Sequence, residues 1–129
     1  MNEDAIILIG RMNNKILCIQ FYASEFERMF ALASHYKMTM TDTVRMILKK
    51  EDFDEKVFQS WVEEVRVEKR TLKLQKLHQV FSLSLPSQDY EKVSMQANNI
   101  GICKADCIRA ILLKEEKKVL AIDGELSSG

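Results

Sequence analysis

The sequence predicts a mainly α-helical chain made of two strand-helix-helix copies joined by an amphipathic helix. Three observations predict it. First, "KMTMTDTVRMILKKE" at 37–51 and "GICKADCIRAILLKE" at 101–115 share Asp, Arg, two aliphatics and Lys-Glu at one constant offset of 64 residues. Carried backwards, the offset aligns 15–51 with 79–115 without a gap, and eight of the 37 positions are identical. Repeats are the first thing to seek in a chain, because one small unit cannot bury its own apolar face. Second, only four Gly and one Pro occur in 129 residues, and that scarcity of breakers favours helices over many short strands. Third, each copy begins with a β-branched, aromatic-rich run, then changes to helical periodicity.

The opening runs are "ILCIQFY" and "VFSLSLP". Period-two alternation puts Leu17, Ile19 and Phe21 on one face and Ile16, Cys18 and Gln20 on the other. The equivalent split in the second copy is Phe81, Leu83 and Leu85 against Val80, Ser82 and Ser84.

A helix follows each strand. Ser87 has the chemistry of an N-cap, with Asp89 and Glu91 in the first turn to suit the helix dipole. Tyr90, Val93, Ala97 and Ile100 form its apolar stripe, matched by Phe26, Met29, Phe30, Ala33 and Tyr36 in the first copy. Gly101 suits a left-handed stop. Lys37 holds that place in the first copy and tolerates positive φ poorly, which predicts a different turn there.

The third piece is a second helix. Thr39 with Asp42, and Cys103 with Asp106, give the capping pattern, and Val44, Ile47, Leu48, Ile108, Ile111 and Leu112 point inward. The last helix is expected to reach about 122, leaving 123–129 as a disordered tail.

Strand, helix, turn and capped helix within about 40 residues resembles the ribbon-helix-helix family, that of the Arc and MetJ repressors. "FSLSLPSQDYEKVSMQANNIGICKADCIRAILL" carries the resemblance most fully. It implies a two-stranded antiparallel ribbon made by two units that interlock four helices and enter the DNA major groove. The pair could form within the chain, as an intramolecular pseudo-dimer, or between chains, as a homodimer. The outward strand face then reads bases: Ile16, Cys18, Gln20, Val80, Ser82 and Ser84. The N-termini of the second helices then hold phosphate, at Thr39, Met40 and Thr41 and at Cys103, Lys104 and Ala105. The groove face departs from the family in having no Arg or Lys, and its two halves differ, so the half-sites should differ. Two such units on one chain also resemble plasmid relaxosome accessory proteins, which implies transfer-origin binding with a relaxase or other plasmid protein as partner. Transcriptional repression uses the same surface. The rival of another class is a protein-binding, antitoxin-like or assembly module, favoured by apolar Ile16 and Val80.

The implied organisation is an N-terminal extension at 1–14, repeats at 15–51 and 79–122, and a connector at 52–78. Residues 5–12 of the extension read as an extra strand or a short helix. In the connector Phe53, Val57, Trp61 and Val65 recur every four residues, beside Phe58 and Val62, and this apolar face must dock on something. Its basic end, with Arg70, Lys73 and Lys76, reads either as a solvated face or, just ahead of the ribbon, as a contact to the DNA backbone.

Net charge is zero at pH 7, so DNA binding has to come from local arrangement rather than from a basic chain. Three Cys, no signal-peptide pattern and no apolar run near membrane-span length predict a reduced, cytoplasmic protein without membrane contact. His35 and His78 lie 43 residues apart and read as surface or structural. Cys103 and Cys107 read as two small buried residues at a helix start. Without a phosphate-cradling Gly loop or a nucleophile motif, a non-enzyme with no cofactor or metal is expected.

Overall fold

The computed structural model describes residues 14–75 and 77–128. The N-terminal extension, Asn14 apart, and Lys76 therefore lie outside the described residues. The elements run β1 (Lys15–Tyr22), α1 (Ala23–Tyr36), α2 (Met40–Lys50), α3 (Glu55–Leu72), β2 (Leu77–Leu85), α4 (Ser87–Ile100) and α5 (Lys104–Ser128). The described residues are mainly helical and include a two-stranded antiparallel sheet. No helix among the described residues is long and apolar enough to cross a membrane.

β1 and β2 pair along their whole length, from Lys15↔Leu85 through Cys18↔Ser82 to Tyr22↔Leu77, with one irregularity between Phe21 and Tyr22. The period-two split holds on both strands. Ile19, Phe21, Leu83 and Leu85 are buried, Leu17 and Phe81 pack partly against the same core, and Ile16 and Val80 are exposed. A lone two-stranded sheet is marginal in water. Here α1, α2, α4 and α5 contact one or both strands and cover the inner face.

The second helices behave as their pattern requires. Val44, Ile47 and Leu48 of α2 and Ile108, Ile111 and Leu112 of α5 are all buried. Thr39 Oγ1 accepts the Asp42 amide at 3.0 Å and caps α2. In α1 the apolar row is Met29, Leu32 and Ala33, with Tyr36 packed beside it, while Phe30, expected in that row, is 60% exposed. One helical step is about 100°, which turns Phe30 off a row through Met29 and Ala33.

Two helix ends differ from expectation. Pro86 rather than Ser87 precedes the first turn of α4, and Ser87 is its first residue. Lys37 makes the same turn as Gly101, not a different one: φ is 56° and 79°, with ψ 45° and 38°. The closing bonds also correspond, Met38 N–H to Ala33 O and Ile102 N–H to Ala97 O, both 3.0 Å. A Cβ added at Gly101 would meet nothing within 4 Å. That turn therefore has room for a side chain and opposes one only through backbone strain.

The connector docks on the protein itself. Phe58, Val62, Val65 and Leu72 of α3 are buried, and α3 packs against α5. The seam is turned from the expected one, since Val57 is exposed and Phe53 precedes the helix at φ 53°. Phe53 still reaches the core, edge-on to Phe58 at 4.9 Å. Leu77 and His78, assigned to the connector, belong to β2. At the other end α5 continues beyond 122 to Ser128, so the backbone of the expected tail is helical almost to its end.

Ion pairs bind the helices across the core in a reciprocal pattern. Lys50 Nζ lies 2.7 Å from Glu115 and Lys114 Nζ 3.0 Å from Glu51. Each residue of the first pair stands 64 positions from its counterpart in the second. Arg28 ties α1 to Glu68 of α3 and Glu116 of α5, at 2.8 and 3.1 Å. Tyr36 donates its hydroxyl proton to Glu115. Burial, then this bond and the Glu115 charge, push the Tyr36 phenol up to about 12. Burial would raise Glu115, but bonds from Lys50 and Tyr36 outweigh it and hold the carboxylate below its usual range.

Two outcomes are expected. Lys37→Gly relieves the left-handed strain and stabilises the fold by about 1 kcal/mol, read as a higher urea midpoint. The Tyr36 contribution is fully present below its unfolded pKa of 10.0 and is lost as pH rises towards about 12. Urea midpoints between pH 8 and 12 should therefore fall less steeply for Tyr36→Phe than for the wild type, each relative to its own value at pH 8.

Candidate nucleic-acid interface

The register gathers all six predicted reading residues on the outer face of the ribbon. They form three cross-strand pairs: Ile16↔Ser84, Cys18↔Ser82 and Gln20↔Val80. Ile16 is 65% and Val80 52% exposed, Cys18, Gln20 and Ser82 are exposed, and Ser84 is half-buried. Cys18 and Ser82, themselves 64 apart, meet at the centre with Sγ and Oγ 3.9 Å apart. The outer pairs exchange places under the same offset: Gln20 corresponds to Ser84 and Val80 to Ile16. Each end of the ribbon thus carries one polar and one aliphatic side chain.

The backbone beneath the two polar positions is held from the opposite half of the chain. Arg109 on α5 donates to Gln20 O at 2.6 Å, and Arg45 on α2 donates to Ser84 O at 2.8 Å. Local sequence pattern does not reveal these carbonyl bonds, because they depend on which strand lies beside which helix. The two clamps are unlike. Arg109 is buried, 2.6 Å from buried Glu25 and 3.0 Å from Asp106. Burial alone would lower its pKa, but bonds and charges from Glu25 and Asp106 outweigh that and raise it. Arg45 is partly exposed, and its acid, Asp42, is 3.9 Å away with a side chain 60% exposed.

The predicted phosphate positions divide. Cys103, Lys104 and Ala105 border the ribbon: Lys104 and Cys103 line a groove with Cys18 and Tyr90, and Ala105 lines one with Cys18, Gln20 and Val80. The first turn of a helix leaves amide N–H groups without helical partners, and the dipole favours an anion there. Lys15, which sequence reasoning left out, stands beside this end. Lys15 and Lys104 both lie over the Tyr90 ring, at 5.2 and 5.5 Å from its centroid. Its one readable signal was its place as the first residue of the strand. Thr39, Met40 and Thr41 sit at the start of α2, where exposed Asp42 adds negative charge and the places of Lys15 and Lys104 are held by Gln79 and Met40. Arg70 and Lys73 are exposed at the end of α3. Lys69 is bound to Asp106 at 3.0 Å, which neutralises an acid at the start of α5.

The remaining candidate chemistry is scattered. Among the described residues no group of three or more His, Cys, Asp or Glu is arranged to hold a metal ion. His35 is exposed and stands edge-on to Tyr36 at 4.8 Å, and the His78 side chain lies outside the described ones. Cys107 is buried as expected, and burial, then Glu51 and Cys103, push its thiol up to about 12. Cys103 is exposed rather than buried, because it precedes the first turn of α5.

Breaking a buried ion pair typically costs about 3–5 kcal/mol, and Arg109 would keep Asp106 when Glu25 is removed, which puts the loss towards the lower end of that range. Glu25→Ala should lower stability by that amount in urea unfolding. Asp42→Ala, at the exposed counterpart pair, should change it by less than about 1 kcal/mol.

Comparison of the chain with protein-family models, with curated proteins and with solved structures finds no match in any of the three.

Proposed function

We propose that this protein is a tandem ribbon-helix-helix DNA-binding protein that folds as its own pseudo-dimer and seats its β-ribbon in the major groove of a specific duplex site. The observation that carries the reading is the exposed ribbon face. Six side chains without a formal charge stand there in three cross-strand pairs, with the Lys104 end of α5 and Lys15 at its border. A two-stranded ribbon fits the major groove, and Gln, Ser and aliphatic groups are suited to adenine, to several base edges and to the thymine methyl. The tandem arrangement is supported by bonds that recur at an offset of 64. They are Lys50–Glu115 with Lys114–Glu51, Arg45–Ser84 with Arg109–Gln20, and the two left-handed turns.

On this reading the protein is a cytoplasmic non-enzyme. Its role is that of a relaxosome accessory protein at a plasmid transfer origin, with a relaxase as partner, or of a transcriptional repressor. A selected site beside a nick site assigns the first role, and one inside a promoter the second. Exposed Ile16 and Val80, together with zero net charge, favour one other reading, a protein-binding module of antitoxin or assembly type.

Selection from a random duplex pool at two salt concentrations tests the proposal. One short site should be enriched, with affinity falling as salt rises. Gln20→Ala should relax preference at one position, each lost base contact being worth roughly 1–3 kcal/mol. Lys73→Ala should weaken all sequences alike and reduce the salt slope by about 1. No enrichment at low salt would replace DNA reading with the protein-binding module.

A further inference from the structure

Resting on the DNA-reading proposal, we infer that the ribbon has a stringent end and a permissive end. Gln20 with Val80 demands one A·T pair, and Ser84 with Ile16 tolerates several bases at the dyad-related position. The argument begins with the register. Cys18 faces Ser82, its own counterpart at the offset of 64, so the pseudo-dyad passes through that pair. The outer pairs on either side of it are then related by that dyad, the irregularity lying beyond them after Phe21, and their difference in reading rests on the side chains and on what holds them.

The side chains differ in what they can recognise. A Gln amide offers a donor and an acceptor together, which adenine N7 and N6 match in bidentate fashion, whereas a Ser hydroxyl bonds to several base edges. Val80 and Ile16 do not distinguish the ends, since both are exposed aliphatics suited to a thymine methyl.

Support beneath the readers differs in the same direction. The Gln20 carbonyl is bound by Arg109, which is buried and fixed by Glu25 and Asp106. The Ser84 carbonyl is bound by Arg45, which is partly exposed and has Asp42 only at 3.9 Å. A reading group discriminates only as well as its backbone is held. The more demanding side chain thus stands on the firmer clamp, and the tolerant one on the looser. Arg109 and Arg45 act here as positioning residues, through the carbonyls of Gln20 and Ser84.

The test uses the full chain and the duplex site enriched by the wild type, with every base pair replaced in turn. Replacing the pair under Gln20 should weaken binding about tenfold or more. Replacing its dyad-related partner under Ser84 should weaken it by less than about threefold, as a single adaptable contact allows. Ser84→Gln should raise the penalty at the second position towards that of the first without reaching it, because Arg45 holds that carbonyl less firmly, and should move the newly selected site towards a palindrome. Gln20→Ser should make the site palindromic in the permissive sense. Equal wild-type penalties at the two positions, or an unchanged site for Ser84→Gln in a variant of normal thermal stability, overturn the inference while leaving DNA reading intact. Failure of the wild type to enrich any site overturns both.

Discussion

Antiparallel pairing of Lys15–Tyr22 with Leu77–Leu85 constrains everything else in the molecule. Each strand alone has one apolar face and unpaired edges, and neither condition is stable in water. Pairing satisfies one edge of each strand and joins Ile19 and Phe21 to Leu83 and Leu85 in one inner face. That face has to be roofed, and the helices that roof it come from both halves of the chain. Because side chains alternate with period two, a one-residue slip would bury Cys18 and Ser82 and expose Ile19 and Leu83. The same alternation that builds the core therefore assembles the outer face, with no residue assigned to it separately.

Charged groups then lock the halves together. Arg109 joins β1, α1 and α5 through Gln20, Glu25 and Asp106, while Lys50 and Lys114 exchange acids across α2 and α5. A buried ion pair is weak grounds for stability, because desolvation offsets its Coulomb energy. Its effect here is geometric. Apolar packing between helices tolerates small slides, whereas a guanidinium shared by a carbonyl and two carboxylates holds the helix at one place along the strand.

Much of this was legible in the sequence because it rests on periodicity. Alternation separated Ile19 from Gln20 and Leu83 from Ser84, and the aliphatics of α2 and α5 lie where helical spacing puts them. What periodicity could not settle was angular detail and contacts between distant segments. Phe30 and Val57 are apolar at plausible spacings, and only the partner surface decides that they face out. Lys37 shows tertiary context overriding propensity: the turn it shares with Gly101 is fixed by where α2 must pack. The carbonyl contacts of Arg45 and Arg109, and the approach of Lys15 to Lys104, join residues too far apart in sequence for any local pattern to reveal. The outer face was readable as a set, while the support that distinguishes its two ends was not.

The separation of the two strands also has a consequence during synthesis. Tyr22 leaves the ribosome 55 residues before its partner Leu77. At roughly 5–20 residues per second, β1 waits for several seconds without a strand to pair with. Through that interval Ile19 and Phe21 have only α1, α2 and α3 to shelter them, and the open edge of β1 is a template for any other extended chain. A nascent chain of this design gains from an α1 that folds early over β1, because the length of chain between the strands sets how long that edge stays open.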